Sequence, residues 1–435
     1  MLKNRIKSFP TLFLLANSIS WFSLTMVVIG DLVGTRPLNE ILLISGSYFG
    51  GLIGSAAIGA TILHRKLRGK GFLLSWFLFG VVTCLLFSLG ATSSLPSLTA
   101  MSLVLGVSIG FGVPTCFSFY ADQTKAENRG RIGAIMFFIV QLFSALILFS
   151  TSDKGIDYQF LILALWRFMG VAGIIFYKPL PKLSEERVTL IKSIVKERTL
   201  ILYFLPWLLF SLVNSVEAPI VEVYFGPELF NNSLLATALI SSVSAFLGGA
   251  LCDLKGRKIT GIFGFILLGL GYAFLSFFSG GPTKEIGQFL YILCDGIAWG
   301  FLFVTFIFVL WGDLSDGKIR EKYYLVGSLP FLFSGMTEML VTPFAKSILV
   351  STSFSLASFF LFLGIVPLLY ATETLPEKAL KDRELKSYLE KAQKLAQKET
   401  GKNEKQDNKK TKEENEETRE SPEDEEARKL AEKYY

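Results

Sequence analysis

The sequence contains very little histidine and no paired cysteine. It has one histidine, His64, among 435 residues, so general acid–base catalysis by imidazole is nearly excluded. No C-x-x-C pair occurs, and isolated thiols in or beside apolar segments predict buried, inert cysteines at Cys84, Cys116, Cys252 and Cys294. We therefore predict no metal site, no catalytic residue and no cofactor.

Charged residues are also scarce, at 18% of the chain against roughly 25% in a soluble protein. The hydrophobic fraction is 51%, and together these values exclude a soluble enzyme. We expect no nucleic-acid partner. The phosphate-binding pattern G-x-x-x-x-G-K-[ST] does not occur, which excludes direct coupling to ATP hydrolysis.

Long apolar segments dominate the rest of the chain. A bilayer core about 30 Å thick needs roughly 20 residues of helix, because the backbone must form its hydrogen bonds internally. We predict an all-α membrane protein with twelve spans, near 11–33, 38–63, 71–92, 97–120, 131–151, 158–177, 199–223, 232–252, 259–279, 286–311, 323–346 and 349–370. Prolines within spans predict kinks, at Pro114, Pro206, Pro219 and Pro330.

Lysine and arginine are distributed unevenly between alternate connections. With the N-terminus in the cytoplasm, the cytoplasmic connections contain 22 of these residues and the external ones contain four, at Arg36, Lys154, Lys284 and Lys346. Because cytoplasmic loops are enriched in positive charge, we predict a cell-membrane protein with both termini in the cytoplasm.

The longest connection, residues 178–198, divides the spans into six and six. It separates an N-terminal bundle, 1–177, from a C-terminal bundle, 199–372. Residues 184–197 fit either a helix lying on the membrane surface or a flexible linker. Beyond the bundles, residues 373–398 have apolar positions at helical spacing and predict an amphipathic cytoplasmic helix, whereas the highly charged residues 399–435 predict a largely disordered tail.

Two loops repeat one charge pattern. ADQTKAENRGR, after the fourth span, places Asp122 and Arg129 seven residues apart, and GDLSDGKIREK, after the tenth span, gives Asp313 and Arg320 the same spacing. Because these loops occupy matching places in the two six-span halves, they predict an internal repeat.

A third loop, GGALCDLKGRK at residues 248–258, combines one acid with three bases. Its pattern G-x-L-x-D-x-x-G-R-K resembles the loop signature of the major facilitator superfamily. The Asp-x6-Arg loops and the ending YATETLPEK resemble further patterns of that family. The resemblance covers roughly residues 1–380 and implies two pseudo-symmetric six-helix bundles that transport a small molecule by alternating access. We expect a monomer in the lipid bilayer.

The resemblance also implies a cytoplasmic gate. Asp253 would meet the start of the fifth span near Gly130, where free N–H groups favour negative charge. Arg257 would reach Asp313, and Asp122 would pair with an inner-loop base such as Arg65, Arg68 or Arg131. Pairs at the solvent edge contribute only about 0–1 kcal/mol each, which suits contacts broken in every cycle. The predicted gate residues are Gly249, Asp253, Gly256, Arg257, Lys258, Asp122, Arg129, Asp313 and Arg320. In the alternative interpretation the bases only set the topology, and Asp253 is a solvated acid.

Polar side chains at membrane depth are rare and tend to face a cavity. The predicted path for substrate or coupling ion contains Asn17, Gln141, Asn214, Glu217, Asp295 and Glu338. Its carboxylates suit a cationic substrate or a bound proton. Glu222 is interpreted as hydrated near the outer interface, an alternative that also applies to Glu338. Arg167 is expected to form a structural pair with a neighbouring acid.

Two functions follow from these features. The first is secondary active or facilitated transport of a small, cationic or amphipathic molecule, with a proton or sodium ion as the coupling ion. The second is a non-transporting membrane sensor or scaffold that acts through its tail. Gly106 stands where many proton-coupled members of the family carry arginine, and the loop between the second and third spans lacks the acid of the signature, so both departures argue against proton antiport.

Overall fold

The computed structural model describes residues 2–34, 36–63, 69–90, 94–151, 154–176, 191–315, 319–376, 385 and 422–434. Side chains are described for all of these except 2–11, 63 and 434. Within these residues the chain is almost entirely helical and contains no strand. Residues 1–376 form one compact unit and residues 377–435 another.

Twelve helices in the described part of the chain are long and apolar enough to cross a membrane, which confirms the predicted count. In chain order α1 to α12 are Leu12–Val33, Leu38–Ile62, Lys70–Ser88, Leu95–Gln123, Ala126–Thr151, Ile156–Ile175, Arg198–Phe225, Pro227–Lys255, Arg257–Phe277, Gly281–Leu314, Arg320–Ser347 and Val350–Tyr370.

Prolines do not end these helices. Pro206 and Pro219 lie inside α7, and Pro330 lies inside α11. In α4 the helix is interrupted at residues 111–112, and its second segment begins with Pro114 in the first turn, where a missing N–H costs no hydrogen bond. A π-helical segment, Phe303–Val309, interrupts α10 and is buried along its length.

The two sets of six helices meet through two main pairs, α5 with α8 and α2 with α11. The α5–α8 crossing is close because glycines face each other there. A Cβ atom on Gly130 would lie 2.6 Å from the carbonyl oxygen of Gly249, and one on Gly249 would lie 2.5 Å from that of Gly130. The backbones therefore touch, as small residues allow between membrane helices.

The segments outside the spans correct one expectation and leave others open. Residues 191–194 form one helical turn with Ile194 buried, residues 195–197 are not helical, and residues 184–190 of the predicted 184–197 helix lie outside the described residues. So does nearly all of the predicted helix at 373–398. The bundle boundaries 1–177 and 199–372 stay predictions.

The tail is not disordered throughout, because Pro422–Tyr434 is a helix. Its side chains at 422–433 are exposed, so packing does not explain it. Three acids in the first turn and Lys433 in the last turn complement the helix dipole, and Lys429 pairs with Glu425 one turn earlier. Strong local propensity therefore offsets the high charge that predicted disorder.

Candidate functional site: a closed charged face and a cavity behind it

Asp253, at the end of α8, binds the start of α5. Its Oδ1 accepts a hydrogen bond from the N–H of Gly130 at 2.8 Å, and its Oδ2 accepts one from the N–H of Arg131 at 2.9 Å. The side chain is fully buried. The predicted contact is therefore present, and a carboxylate at a helix start is stabilised by the free N–H groups there.

Asp313, at the end of α10, joins the two halves. Its Oδ2 accepts a 2.7 Å hydrogen bond from Nε of Arg257, as predicted, and its Oδ1 accepts one from Nη1 of Arg129. Arg257 also lies 3.6 Å from Asp253, so one buried guanidinium lies between the two carboxylates. Arg129 belongs to α5 and Arg257 to α9. The carboxylate of Asp313 therefore links α5, α9 and α10.

In each of the two repeated loops, the acid pairs with the arginine of the other loop. Arg320 of the second half donates to Asp122 of the first, while Arg129 of the first half donates to Asp313 of the second. Of the three bases expected beside Asp122, Arg131 instead lies near Asp253, at 3.9 Å, and Arg65 and Arg68 lie outside the described residues. The repeat therefore forms a reciprocal pair of bridges across the halves, which the spacing within each loop does not show.

Burial makes the loss of one partner from these contacts more costly than at solvent-edge pairs. Asp253 and Arg257 are 0% exposed and Arg129 is 4% exposed. The prediction that the pairs lie at the edge of solvent is therefore wrong for this part of the cluster. Removing one partner of a buried ion pair typically costs about 3–5 kcal/mol, because the other charge is left without compensation.

Glu373, just after α12, closes the edge of this cluster. Its carboxylate accepts hydrogen bonds from the backbone N–H groups of Arg257 at 2.9 Å and Lys258 at 3.2 Å. Gly256 precedes them with a φ of +111°, a region that favours glycine, and a Cβ there would collide with Glu373. The Lys258 ammonium donates to the carbonyl oxygen of Leu369 at 2.6 Å. We call the layer of charged side chains that contains Asp122, Asp253 and Asp313 the charged face.

A cavity of about 280 Å³ lies between the halves, away from the charged face. Its walls come from α1, α5, α7, α8, α9 and α10, and they contain aromatic rings, hydroxyl groups, amides and one carboxylate. The polar and aromatic lining residues are Ser23, Phe137, Gln141, Asn214, Phe230, Ser233, Thr237, Ser241, Tyr272, Tyr291, Asp295, Trp299 and Phe303. A smaller, apolar cavity of about 30 Å³ shares Ile19 and Phe303 with it and is bordered by α1, α4, α10 and α11.

Asp295 is the carboxylate in the cavity wall. It is 6% exposed, and its Oδ1 has no hydrogen-bond partner among the described residues. Thr237 and Trp299 lie beside the carboxylate, and no described Lys or Arg lies within 4 Å of it. A buried carboxylate without a base is costly, so the site favours a bound cation or proton.

The other predicted path residues are distributed unevenly. Gln141 and Asn214 line the cavity with Asp295. Glu217 is buried behind the cavity wall, where Ser353 of α12 donates to its Oε1 at 2.7 Å. Glu338 is exposed on α11 near Glu222, which is also exposed. Asn17 of α1 contacts α6 and does not line the cavity. Its side-chain amide donates a hydrogen bond to the carbonyl oxygen of Trp166 at 2.7 Å.

Arg167 has no acidic partner among the described residues, so the predicted ion pair is wrong. Its guanidinium is fully buried and lies over the rings of Trp21, Trp76 and Phe77, at 4.4, 4.3 and 3.6 Å from their centroids. Its Nη1 also donates to Ser18 at 2.9 Å. Cation–π contacts therefore replace the acid that the sequence led us to expect.

Gly106 lies where α4 touches α2. A Cβ at Gly106 would collide with the backbone carbonyl of Tyr48, so an arginine side chain has no room there. This contact gives a physical reason for the departure noted in the sequence.

Sequence reasoning missed the tyrosines of the cavity. Tyr272 looks like an ordinary aromatic residue of an apolar span, and only the packing of α9 against α10 brings it to the cavity with Asp295. Tyr291 lies four residues before Asp295 on α10, so the i, i+4 spacing was the signal that could have found it. Glu373 was part of a recognised acidic ending, but its partners on α9 were not predicted.

Comparisons with known proteins agree with this architecture. A sequence profile of the Major Facilitator Superfamily matches residues 8–311. No curated protein sequence shows significant similarity to the chain. Similar solved structures include the human organic anion transporter MFSD10 (TETRAN), with 14% identity over 84% of this chain and 99% of that chain and a TM-score of 0.62. The proton:xylose symporter XylE bound to 6-bromo-6-deoxy-D-glucose has 14% identity over 86% and 96% of the two chains, with a TM-score of 0.61. The E. coli fucose:proton symporter FucP has 12% identity over 86% and 99%, with a TM-score of 0.63.

At such low identity the solved structures show the fold alone, which is that of twelve-helix membrane transporters. The sequence profile covers more than half of the chain and shows the family directly. Membership of this family favours a multi-pass membrane transporter over an enzyme. The chain belongs to the Major Facilitator Superfamily.

Proposed function

We propose that the protein carries a small organic cation across the cell membrane by alternating access, with Asp295 as the carboxylate that binds it. The observation that carries this proposal is the cavity of about 280 Å³, whose wall contains a buried carboxylate without a described base. Drug-sized ligands occupy pockets of about 300–1,000 Å³, so a small solute is favoured. Trp299 and Tyr291 beside Asp295 supply ring faces that attract cations.

The charged face supplies the gate in this proposal. Asp122, Arg129, Asp253, Arg257, Asp313 and Arg320 hold the halves together on one side of the cavity. Gly249 and Gly256 allow the close backbone contacts, and Lys258 holds the end of α12. Opening this face requires the bundles to pivot, as in transporters built from two repeats.

The distribution of lysine and arginine supports placing the charged face in the cytoplasm, with both termini on that side. In this proposal the ion pairs of the charged face correspond to a closed cytoplasmic gate. The proposed carrier works as a monomer, and a proton or sodium gradient, or the gradient of the cation itself, drives it.

Transport of a radiolabelled quaternary ammonium ion into proteoliposomes tests the proposal. We expect wild-type protein to take up tetraethylammonium under an imposed membrane potential, proton gradient or sodium gradient. Asp295→Asn should reduce this uptake at least tenfold, because one lost charge-assisted contact is worth about 1.5–3 kcal/mol. The matched control is Glu222→Gln, which removes an exposed carboxylate from α7 and should leave uptake unchanged. Equal uptake by wild type and Asp295→Asn would reject Asp295 as the cation site.

The alternative of a sensor or scaffold makes a different prediction. The tail forms a unit separate from residues 1–376. Deletion of residues 377–435 should therefore leave uptake by the purified protein intact. A deletion that abolished a cellular phenotype while uptake persisted would favour the scaffold.

A further inference from the structure

The side of α8 that packs against α5 loses its cover partway along the helix. Gly249 and Asp253 contact α5 directly and are buried. Residues seven apart lie on nearly the same side of a helix, so Ser242 and then Leu235 continue this side away from the charged face. Ser242 is 7% exposed, whereas Leu235 is 62% exposed. The side of α8 that faces α5 is therefore covered near the charged face and uncovered at Leu235.

The facing side of α5 shows the same change. Gly130 and Ala134 lie against α8, and Phe137, one turn further from the charged face, is also buried. The same stripe continues through Gln141, which is half-buried, to Leu148, which is 39% exposed. The two helices therefore touch near the charged face and separate beyond it, which leaves a gap between their far parts.

The other pair of helices that joins the halves, α2 and α11, stays in contact in its far part. Ser45 of α2 lies in the third turn from the far end of its helix, as Leu235 does on α8. Its hydroxyl donates to the sulfur of Met339 on α11 at 3.3 Å. One turn further along α2, the ring of Phe49 lies 2.9 Å from where a Cβ on Gly335 would stand. Of the two main pairs, only α5 and α8 separate.

This gap leads into the cavity of about 280 Å³. Gln141 on one side of the gap and Leu234 and Ala238 on the other line the cavity wall. The rim consists of exposed apolar side chains, among them Leu148 and Leu235. Exposed leucines within membrane-spanning helices face acyl chains, so the cavity opens sideways towards the hydrocarbon of the bilayer.

We propose that the gap is a lateral entrance from the bilayer and that the substrate is an amphipathic organic cation. Its charged head binds in the cavity at Asp295, and its alkyl tail lies in the gap between α5 and α8. The inference rests on the proposed function, since the head needs the cation site. The cavity has room for a small head group, and the apolar rim suits a chain whose affinity rises about fourfold with each buried methylene.

Inhibition of tetraethylammonium uptake by n-alkyltrimethylammonium ions tests the site for the tail. We expect the inhibition constant to fall at least tenfold from tetramethylammonium to octyltrimethylammonium. Leu235→Trp, which fills the gap, should remove most of this gain and leave inhibition by tetramethylammonium unchanged. The matched control is Leu247→Trp, because Leu247 is 65% exposed but lies two residues from Gly249, on the opposite side of α8. It should resemble wild type.

The outcomes separate this inference from the proposed function. Inhibition that does not depend on chain length, or a gain that Leu235→Trp leaves intact, would overturn the site for the tail. Loss of uptake in Asp295→Asn would then still support the cation site. Uptake that is unchanged in Asp295→Asn would overturn the cation site and this inference with it.

Fluorescence quenching covers the case in which tetraethylammonium is not transported. Cysteines introduced singly at Gln141, Ser23 and Leu247 are labelled with bimane in protein that carries Cys294→Ser, since the other native cysteines are buried. Brominated lipids should quench the label at Gln141 nearly as strongly as the label at Leu247. They should quench the label at Ser23, on the α1 wall of the cavity, much less. A label at Gln141 that only aqueous iodide quenches would show a cavity open to water alone and would overturn the lateral entrance.

Discussion

At the residue scale, Asp253 has the most closely defined role. Its two oxygens accept from two consecutive N–H groups of α5 while its charge faces Arg257. An asparagine has one oxygen and an NH₂ group, so Asp253→Asn leaves one N–H unpaired and Arg257 with one acid fewer. We expect uptake to fall about tenfold or more, since each lost contact with a charge is worth about 1.5–3 kcal/mol. Membrane insertion and expression should remain normal.

The control for this prediction is Lys255→Gln, in the same loop, where the lysine is exposed. Uptake by both variants is measured at equal amounts of protein in the membrane. Wild-type uptake by Asp253→Asn would mean that the acid does not take part in gating.

Charge reversal separates two kinds of ion pair at the charged face. Asp122 and Arg320 face each other across the halves, each side chain about 15% exposed. We expect the combined swap Asp122→Arg with Arg320→Asp to transport better than either single change. Asp313, in contrast, contacts both Arg129 and Arg257. Swapping Asp313 with Arg257 would place an arginine against Arg129, and we expect no rescue.

Uptake by the four single and two double variants checks this difference. Rescue of the Asp313–Arg257 swap would contradict the three-residue arrangement. Failure of the Asp122–Arg320 swap to exceed both single variants would show that these two charges are not coupled.

At the scale of elements, the α5–α8 crossing depends on the absence of side chains. A methyl group on Gly249 would lie 2.5 Å from the backbone oxygen of Gly130, and neither backbone can yield without separating the helices. Overpacking of this kind typically costs about 1–3 kcal/mol. We therefore expect Gly249→Ala to lower the melting temperature and to make Cys252, which is fully buried, more reactive to alkylation.

Gly54→Ala on α2 is the matched control, because a Cβ there would have no neighbour within 4 Å. It should change neither the melting temperature nor alkylation. A Gly249→Ala variant as stable and as unreactive as Gly54→Ala would show that the crossing can relax.

The positions of the helices could be predicted from the sequence, whereas most contacts between them could not. Span length and the alternation of positive loops depend on local composition, and all twelve spans were found. The loops did not show that each acid pairs with the arginine of the other half, Asp122 with Arg320 and Asp313 with Arg129. Spacing along the chain gives no information about packing between the halves. The prediction of an acidic partner for Arg167 was wrong for a related reason, since its aromatic neighbours come from two other helices. The tail helix was missed because high charge was weighed above local helix propensity.

At the scale of the whole molecule, ion pairs of the charged face join the two halves, and the cavity between the halves is lined by other residues. The proposal treats these ion pairs as a closed gate. The proposed cycle requires that closure to be temporary. A reversible bridge across the charged face tests this requirement. In the variant Asp122→Cys with Arg320→Cys, a cleavable bifunctional thiol reagent should link the halves where the ion pair stood.

We expect bridging to abolish uptake and reduction of the bridge to restore it, because the bundles cannot pivot while they are linked. Binding of tetraethylammonium should survive, since the cavity walls lie outside the bridged loops. Each measurement compares the same double variant before and after bridging. Any effect on uptake of losing the native ion pair is therefore the same in both measurements. The single-cysteine variants control for reaction at the half-buried Cys294. Uptake that continues through the bridged protein would mean that the charged face need not open, and the pivoting of one half against the other would have to be abandoned.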